Sequence, residues 1–365
     1  GATATFTYTY NQIGNMLSNP QVGTYTYPTS GAGVVRPHAA TVVGTYPLTY
    51  DNNGNLFTMT DPTGFFGYSA NYNVDNRLAS VVTTYASVPT TSTFVYDGDG
   101  GRVKKIVGTT TTRYISKLYE CDTAGATTSC SRFIWAGDTR IATVSVTSGA
   151  VHYWHGDHLG SSSVITNSTG AKVQALAYYP YGDIRTNQSF TTPAVNVPYK
   201  YTGKELDTSS NLYFYESRYY HAVFGRFISP DTMVPNPRDP QDLNRYAYAG
   251  NNPLRYTDPS GHFKIDIGDF LKREVINFFC SCYALTTPEG RQLYASSNAG
   301  VVGFFACGPV CAGAASGAVS GFMSGGDIGR STWLGAAAGV VTWGVGAGFN
   351  IANLGDYVVT QAFVA

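Results

Sequence analysis

Five times in its first hundred residues the chain returns to one phrase: an aromatic, a polar or turn-forming residue, two more, then glycine. The copies are residues 10–14 (YNQIG), 27–31 (YPTSG), 50–54 (YDNNG) and 96–100 (YDGDG), with residues 72–76 (YNVDN) ending in asparagine instead. Asparagine is the residue after glycine that best tolerates the left-handed conformation. Successive starts lie 17, 23, 22 and 24 residues apart, which fits one β-hairpin per repeat. The chemistry divides by position. Tyr10, Tyr27, Tyr50 and Tyr96 pack on a sheet, Asp51 and Asp97 accept hydrogen bonds from the turn backbone, and Gly14, Gly31, Gly54 and Gly100 supply positive φ. Between the phrases run β-branched stretches such as residues 77–88 and 139–147. A lone hairpin is marginal in water, so the repeats must stack edge to edge. The expected fold is mainly β, an antiparallel ribbon.

Composition narrows the function. Charged residues are 13% of the 365 and the net charge is zero, against ~25% charged in a typical soluble domain. Neither nucleic acid nor an anionic membrane surface is an expected partner. With 28 Tyr and 41 Gly, the surface suits burial in an assembly or life outside the cell. The chain opens at Gly1 with no methionine and no signal peptide, so a processed product or a piece of something longer is expected. Six cysteines are present, none in a CxxC pattern, so no zinc, haem or other cofactor is expected. Cys121 and Cys130 bracket a polar hairpin tip. A disulfide there would contribute roughly 2–3 kcal/mol and fits an oxidising compartment.

From these phrases the chain resembles the YD-repeat (RHS-repeat) family. Residues 94–106 (FVYDGDGGRVKKI) are close to its consensus, and residues 151–262 resemble the RHS-repeat-associated core through HYWHGDHLGSSSVITNSTG, YYPYGDIR, YKYTGKELDTSSNLYFYESRYYHAVFGRFISPD and NRYAYAGNNPLRYTDPSGH. The resemblance covers roughly residues 1–262. It implies YD hairpins over 1–150, a core segment over 151–262 that closes one end of a hollow β-shell, and a variable module carried after it, here 263–365.

The same resemblance implies a self-cleaving aspartyl centre. Its carboxylates map to Asp231 and Asp258, with the cut after His262. Two close carboxylates divide the work, one as base for a water and the other as acid. The sequence departs from the family pattern in lacking Pro-x-Gly after Asp231, in the longer segment around residues 234–242, and in placing His262 where the family has leucine. These departures favour two turn-capping aspartates and an uncut chain. His152, His155, His158 and Asp157 lie close in sequence, but alternation along a strand puts His155 opposite the other two, so no metal site is expected. Residues 324–332 miss the phosphate-loop pattern, with Ser324 and Arg330 at its Gly and Lys positions.

After His262 the character changes. Residues 263–282 read as a short amphipathic helix, and no charge occurs between Arg291 and Asp327. Gly313, Gly317, Gly321 and Gly325 recur every four residues, and Gly335/Gly339 and Gly344/Gly348 repeat the device. Such spacing lets helices approach closely. It suits packing in a shell or between subunits, membrane insertion through residues 299–350, or the linker of a toxin module. Cys280, Cys282, Cys307 and Cys311 could staple these helices. Two functions are thus expected from the sequence. One is an extracellular or cell-surface, non-enzymatic scaffold that assembles with copies of itself into a filament or layer. The other is the C-terminal part of a polymorphic toxin whose shell cleaves itself and releases residues 263–365.

Overall fold

The computed structural model describes residues 5–266. The chain is mainly β. Eighteen strands, from Thr9–Tyr10 to Ile184–Ser189, form one antiparallel meander in which each strand pairs with the next in sequence. The ribbon does not break at residue 150: Val144 pairs with Val151, so the first strands of the expected core segment extend it. Among the described residues helix is limited to two 3-10 turns, Tyr201–Gly203 and Ala249–Asn251. None of their helices is long and apolar enough to cross a membrane.

The repeat phrase is a bulged turn. In the Asp51 copy, the side-chain Oδ1 accepts the Asn55 N–H at 2.9 Å and the main-chain carbonyl accepts from Gly54. Asn11, Asn73 and Asp97 do the same for their own turns. Gly14, Gly54 and Gly100 have positive φ, and Asn76 takes the left-handed conformation at φ 62. The strand register shifts beside Tyr10, Tyr50 and Tyr72. This extra residue turns the tyrosine onto the preceding repeat: Tyr50, Tyr72 and Tyr96 donate to the carbonyls of Ala40, Leu56 and Leu78.

Residues 27–31 depart from the reading. Gly31 is outside the left-handed region and no hairpin turn forms there. Pro28 stands where the other copies carry Asp or Asn, so no side-chain oxygen gathers the turn's N–H groups. Conversely, residues 157–160 and 167–170 make the same turn, with Asp157 and Asn167 as acceptors, and residues 61–64 make a longer variant in which Asp61 Oδ1 accepts from Thr63.

The core segment is a plug. Its four-stranded sheet, Glu205–Asp207, Leu212–Tyr215, Arg218–His221 and Arg226–Phe227, is buried at nearly every position. Tyr201, Tyr213, Tyr215, Tyr220 and Tyr248 are wholly enclosed and share one apolar cluster with the ribbon's Leu56, Met59, Tyr68 and Val81. The ribbon curls around this plug: the Tyr10 and Tyr181 hydroxyls meet at 2.5 Å, and Phe6 packs edge-on against Tyr179.

Charge locks plug to ribbon at one place. Arg102 Nη2 reaches Glu205 at 2.5 Å and its Nη1 reaches Asp207 at 2.6 Å, while Lys105 bridges the same two carboxylates. Arg102 also lies over the Phe214 ring at 4.2 Å. Burial pushes the Glu205 carboxyl up, but Arg102 and then Lys105 outweigh it and bring it to about 2. Farther along the ribbon, Cys121 and Cys130 are directly opposed and disulfide-bonded.

Ile265–Asp266 forms a strand against Tyr256–Thr257, so the amphipathic helix expected from residue 263 does not begin there. Strand pairing with the plug overrides the helical periodicity of this short stretch. Gly313, Gly317, Gly321, Gly325 and the four tail cysteines lie outside the described residues.

Candidate functional site: a carboxylate pair at the end of the plug

Asp231 follows the last strand of the plug sheet and Asp258 follows Tyr256–Thr257. Both are buried, at 5% and 3% exposure. The structure brings them together through a residue that sequence reasoning missed. Arg218 Nη2 lies 2.9 Å from Asp231 Oδ2 and 3.3 Å from Asp258 Oδ2. The same guanidinium donates from Nε to the Gly261 carbonyl and from Nη1 to that of Arg245, and stacks on Phe227 at 3.6 Å. Burial draws Arg218 down to about 10 against the opposing pull of Asp231 and Asp258. A buried cation between two carboxylates balances charge that neither could carry alone. The available signal was Arg218 itself, a charge inside the aromatic run YFYESRYYH.

The chain end of the plug is threaded into this pair. Asp258 Oδ1 accepts the backbone N–H groups of His262 at 3.0 Å and Phe263 at 3.1 Å. His262 Nδ1 meets Asp231 Oδ1 at 2.7 Å, and that oxygen also accepts the Met233 N–H. Gly261, at φ 76, makes the bend; a Cβ there would stand 2.4 Å from the Tyr215 carbonyl oxygen. The carboxylates are enclosed while the bond lies at the rim: the His262 side chain is 24% exposed and Phe263 is 41% exposed. Burial pushes the Asp258 carboxyl up, outweighing Arg218 and the surrounding N–H groups.

The histidines of the HYWHGDH phrase diverge. His155 Nε2 meets Thr166, His158 Nε2 meets the Leu254 carbonyl, and His152 sits opposite Asn167 in the strand ladder. Asp157 caps its own turn. Among the described residues no group of His, Cys, Asp and Glu could hold a metal ion.

Comparison with known proteins finds a family model, curated relatives and solved structures similar to parts of the chain. The family model described as Teneurin YD-shell matches residues 113–254. The tRNA nuclease WapA of Bacillus subtilis is 28% identical over 262 residues, which are 70% of this chain and 11% of that protein. Toxin subunit YenC2 of Yersinia entomophaga is 37% identical over 118 residues, 31% of this chain and 11% of that one. The crystal structure of TcdB2-TccC3 without its hypervariable C-terminal region aligns with 70% of this chain and 15% of its own, at 20% identity and a TM-score of 0.48. The chain thus spans about a tenth of the length of these curated relatives.

Proposed function

The chain is a YD-repeat (RHS-repeat) protein, and on that premise we propose that it is the closing end of an extracellular cargo shell that cuts its own backbone between His262 and Phe263. Residues 1–262 are the ribbon and plug, and residues 263–365 are the cargo. The observation that carries the reading is the placing of Asp258 against the Phe263 nitrogen, with Asp231 joined to it through Arg218.

The chemistry follows from the positions. A water oxygen bonds to the His262 carbonyl carbon and its proton passes to Asp231. The carbon–nitrogen bond then breaks, and Asp258 gives its proton to the departing Phe263 nitrogen. Water is the only co-reactant. Arg218 holds the Gly261 carbonyl and both carboxylates, so the strand being cut and the groups cutting it share one anchor. The toxin-subunit and nuclease names of the relatives make a toxic module the favoured class of cargo.

The test is denaturing mass spectrometry of the full chain. A fragment starting at Phe263, absent from Asp258→Asn, is expected; an intact chain under all conditions would sink the proposal. Assembly with copies of itself into a filament or surface layer is a second reading. It is favoured by the charge content of 13% and read out by native mass.

A further inference from the structure

We infer that His262, whose carbonyl carbon the water attacks, restrains the cut: its imidazole holds the base Asp231 and withholds that carboxylate from the water. The inference rests on the self-cleavage reading above and concerns its rate.

A carboxylate offers about four lone-pair sites. On Asp231, Oδ1 is occupied by the Met233 N–H at 2.9 Å and by His262 Nδ1 at 2.7 Å, and Oδ2 carries Arg218. Arg245 Nε is spent on the Asp231 main-chain carbonyl. Oδ1, with both its lone-pair sites engaged, takes a proton poorly, and the His262 contact is the one donor supplied by the segment being cut. The charged and titratable groups around the imidazole are Asp231, Asp258, Arg218 and Arg245, and the Phe263 ring lies beside it at 6.2 Å between centroids. A leucine side chain, which has no donor, leaves Oδ1 with one lone pair open.

The experiment follows the Phe263 fragment over time in the full chain, comparing wild type with His262→Leu, His262→Met and His262→Asn. Both apolar variants should be cut at least about tenfold faster than wild type. His262→Asn keeps a donor, so it should stay slow. Thermal unfolding of each variant establishes that it is folded. Apolar variants cut at the wild-type rate or more slowly would overturn the restraint. Failure of every variant, His262→Leu included, to release the fragment would overturn the self-cleavage reading and the restraint with it. A cut in His262→Leu that disappears when Asp258→Asn is added keeps both.

Discussion

Asp258 Oδ1 lies 3.1 Å from the amide nitrogen of Phe263, so a carboxyl that burial pushes upward faces the atom that would leave in the proposed cut. Asp258→Asn removes the ionisable carboxyl without removing the shape. We predict that it slows release of the Phe263 fragment by at least roughly a hundredfold, the usual contribution of a positioned acid. Asp231→Asn should do the same by removing the base. Either variant cutting within a few-fold of wild type would move its role elsewhere.

The Arg102–Glu205 contact predicts an acid limit to stability. The Glu205 carboxyl is lowered from 4.5 to about 2 by Arg102 and Lys105, against burial. A lowered carboxyl stabilises the fold above its unfolded value and loses that contribution as pH falls from about 4.5 toward about 2. Glu205→Gln strands part of the Arg102 and Lys105 charge, at an expected cost of about 3–5 kcal/mol at neutral pH. Thermal melts at pH 7 and pH 3 check both signs; an unchanged midpoint at pH 7 would discount the lock.

Glu120 predicts the opposite slope. Burial, then the charge of Glu205, raises its carboxyl from 4.5 to about 7, although the Tyr199 hydroxyl donates to it at 2.8 Å. A raised carboxyl costs stability progressively as pH climbs from about 4.5 to about 7. Glu120→Gln, which can still accept from Tyr199, should therefore stabilise by about 1–3 kcal/mol at pH 8 and do little at pH 5. A variant equally stable at both pH values relative to wild type would contradict the assignment.

The Cys121–Cys130 disulfide closes a hairpin whose strands are already paired. Reducing it should lower stability by roughly 2–3 kcal/mol at most and leave the rest of the ribbon folded. Alkylation without reductant should label neither sulfur; labelling of both would place the protein in a reducing compartment.

How far the sequence revealed this architecture depends on where the information is local. The turns at Asp51 and Asp97 were legible because acceptor, spacing and glycine lie within five residues. The same physics was misread at residues 27–31, where tyrosine and glycine frame a turn that lacks its Asp or Asn. It was overlooked at Asp61, Asp157 and Asn167, where the acceptor is present and the preceding tyrosine is not. The side-chain oxygen, and not the aromatic, defines the motif.

The candidate site was half legible. Asp231, Asp258 and His262 came from a family resemblance, whereas Arg218 carries no motif, since its role is set by tertiary contacts with residues up to 43 positions away. The partition of charge between Arg102, Lys105, Glu205 and Asp207 was hidden for the same reason: those contacts join residues about a hundred positions apart.

Neighbour-with-neighbour pairing along eighteen strands sets the order in which the molecule comes together. Each strand closes only a short loop, which is fast and costs little entropy. The plug's bonds to the first strands, such as Asn244 to Gly14 and Tyr25 to Phe224, span 230 and 199 residues and can form only after the ribbon exists. The carboxylate pair is built on that plug. It is therefore the last feature to appear, and the proposed cut there would act as a receipt for completed folding: a molecule that had not closed would keep residues 263–365 attached. Pulse-labelled hydrogen exchange should find the amides of the Phe66–Tyr72 and Leu78–Tyr85 strands protected before those of Arg218–His221.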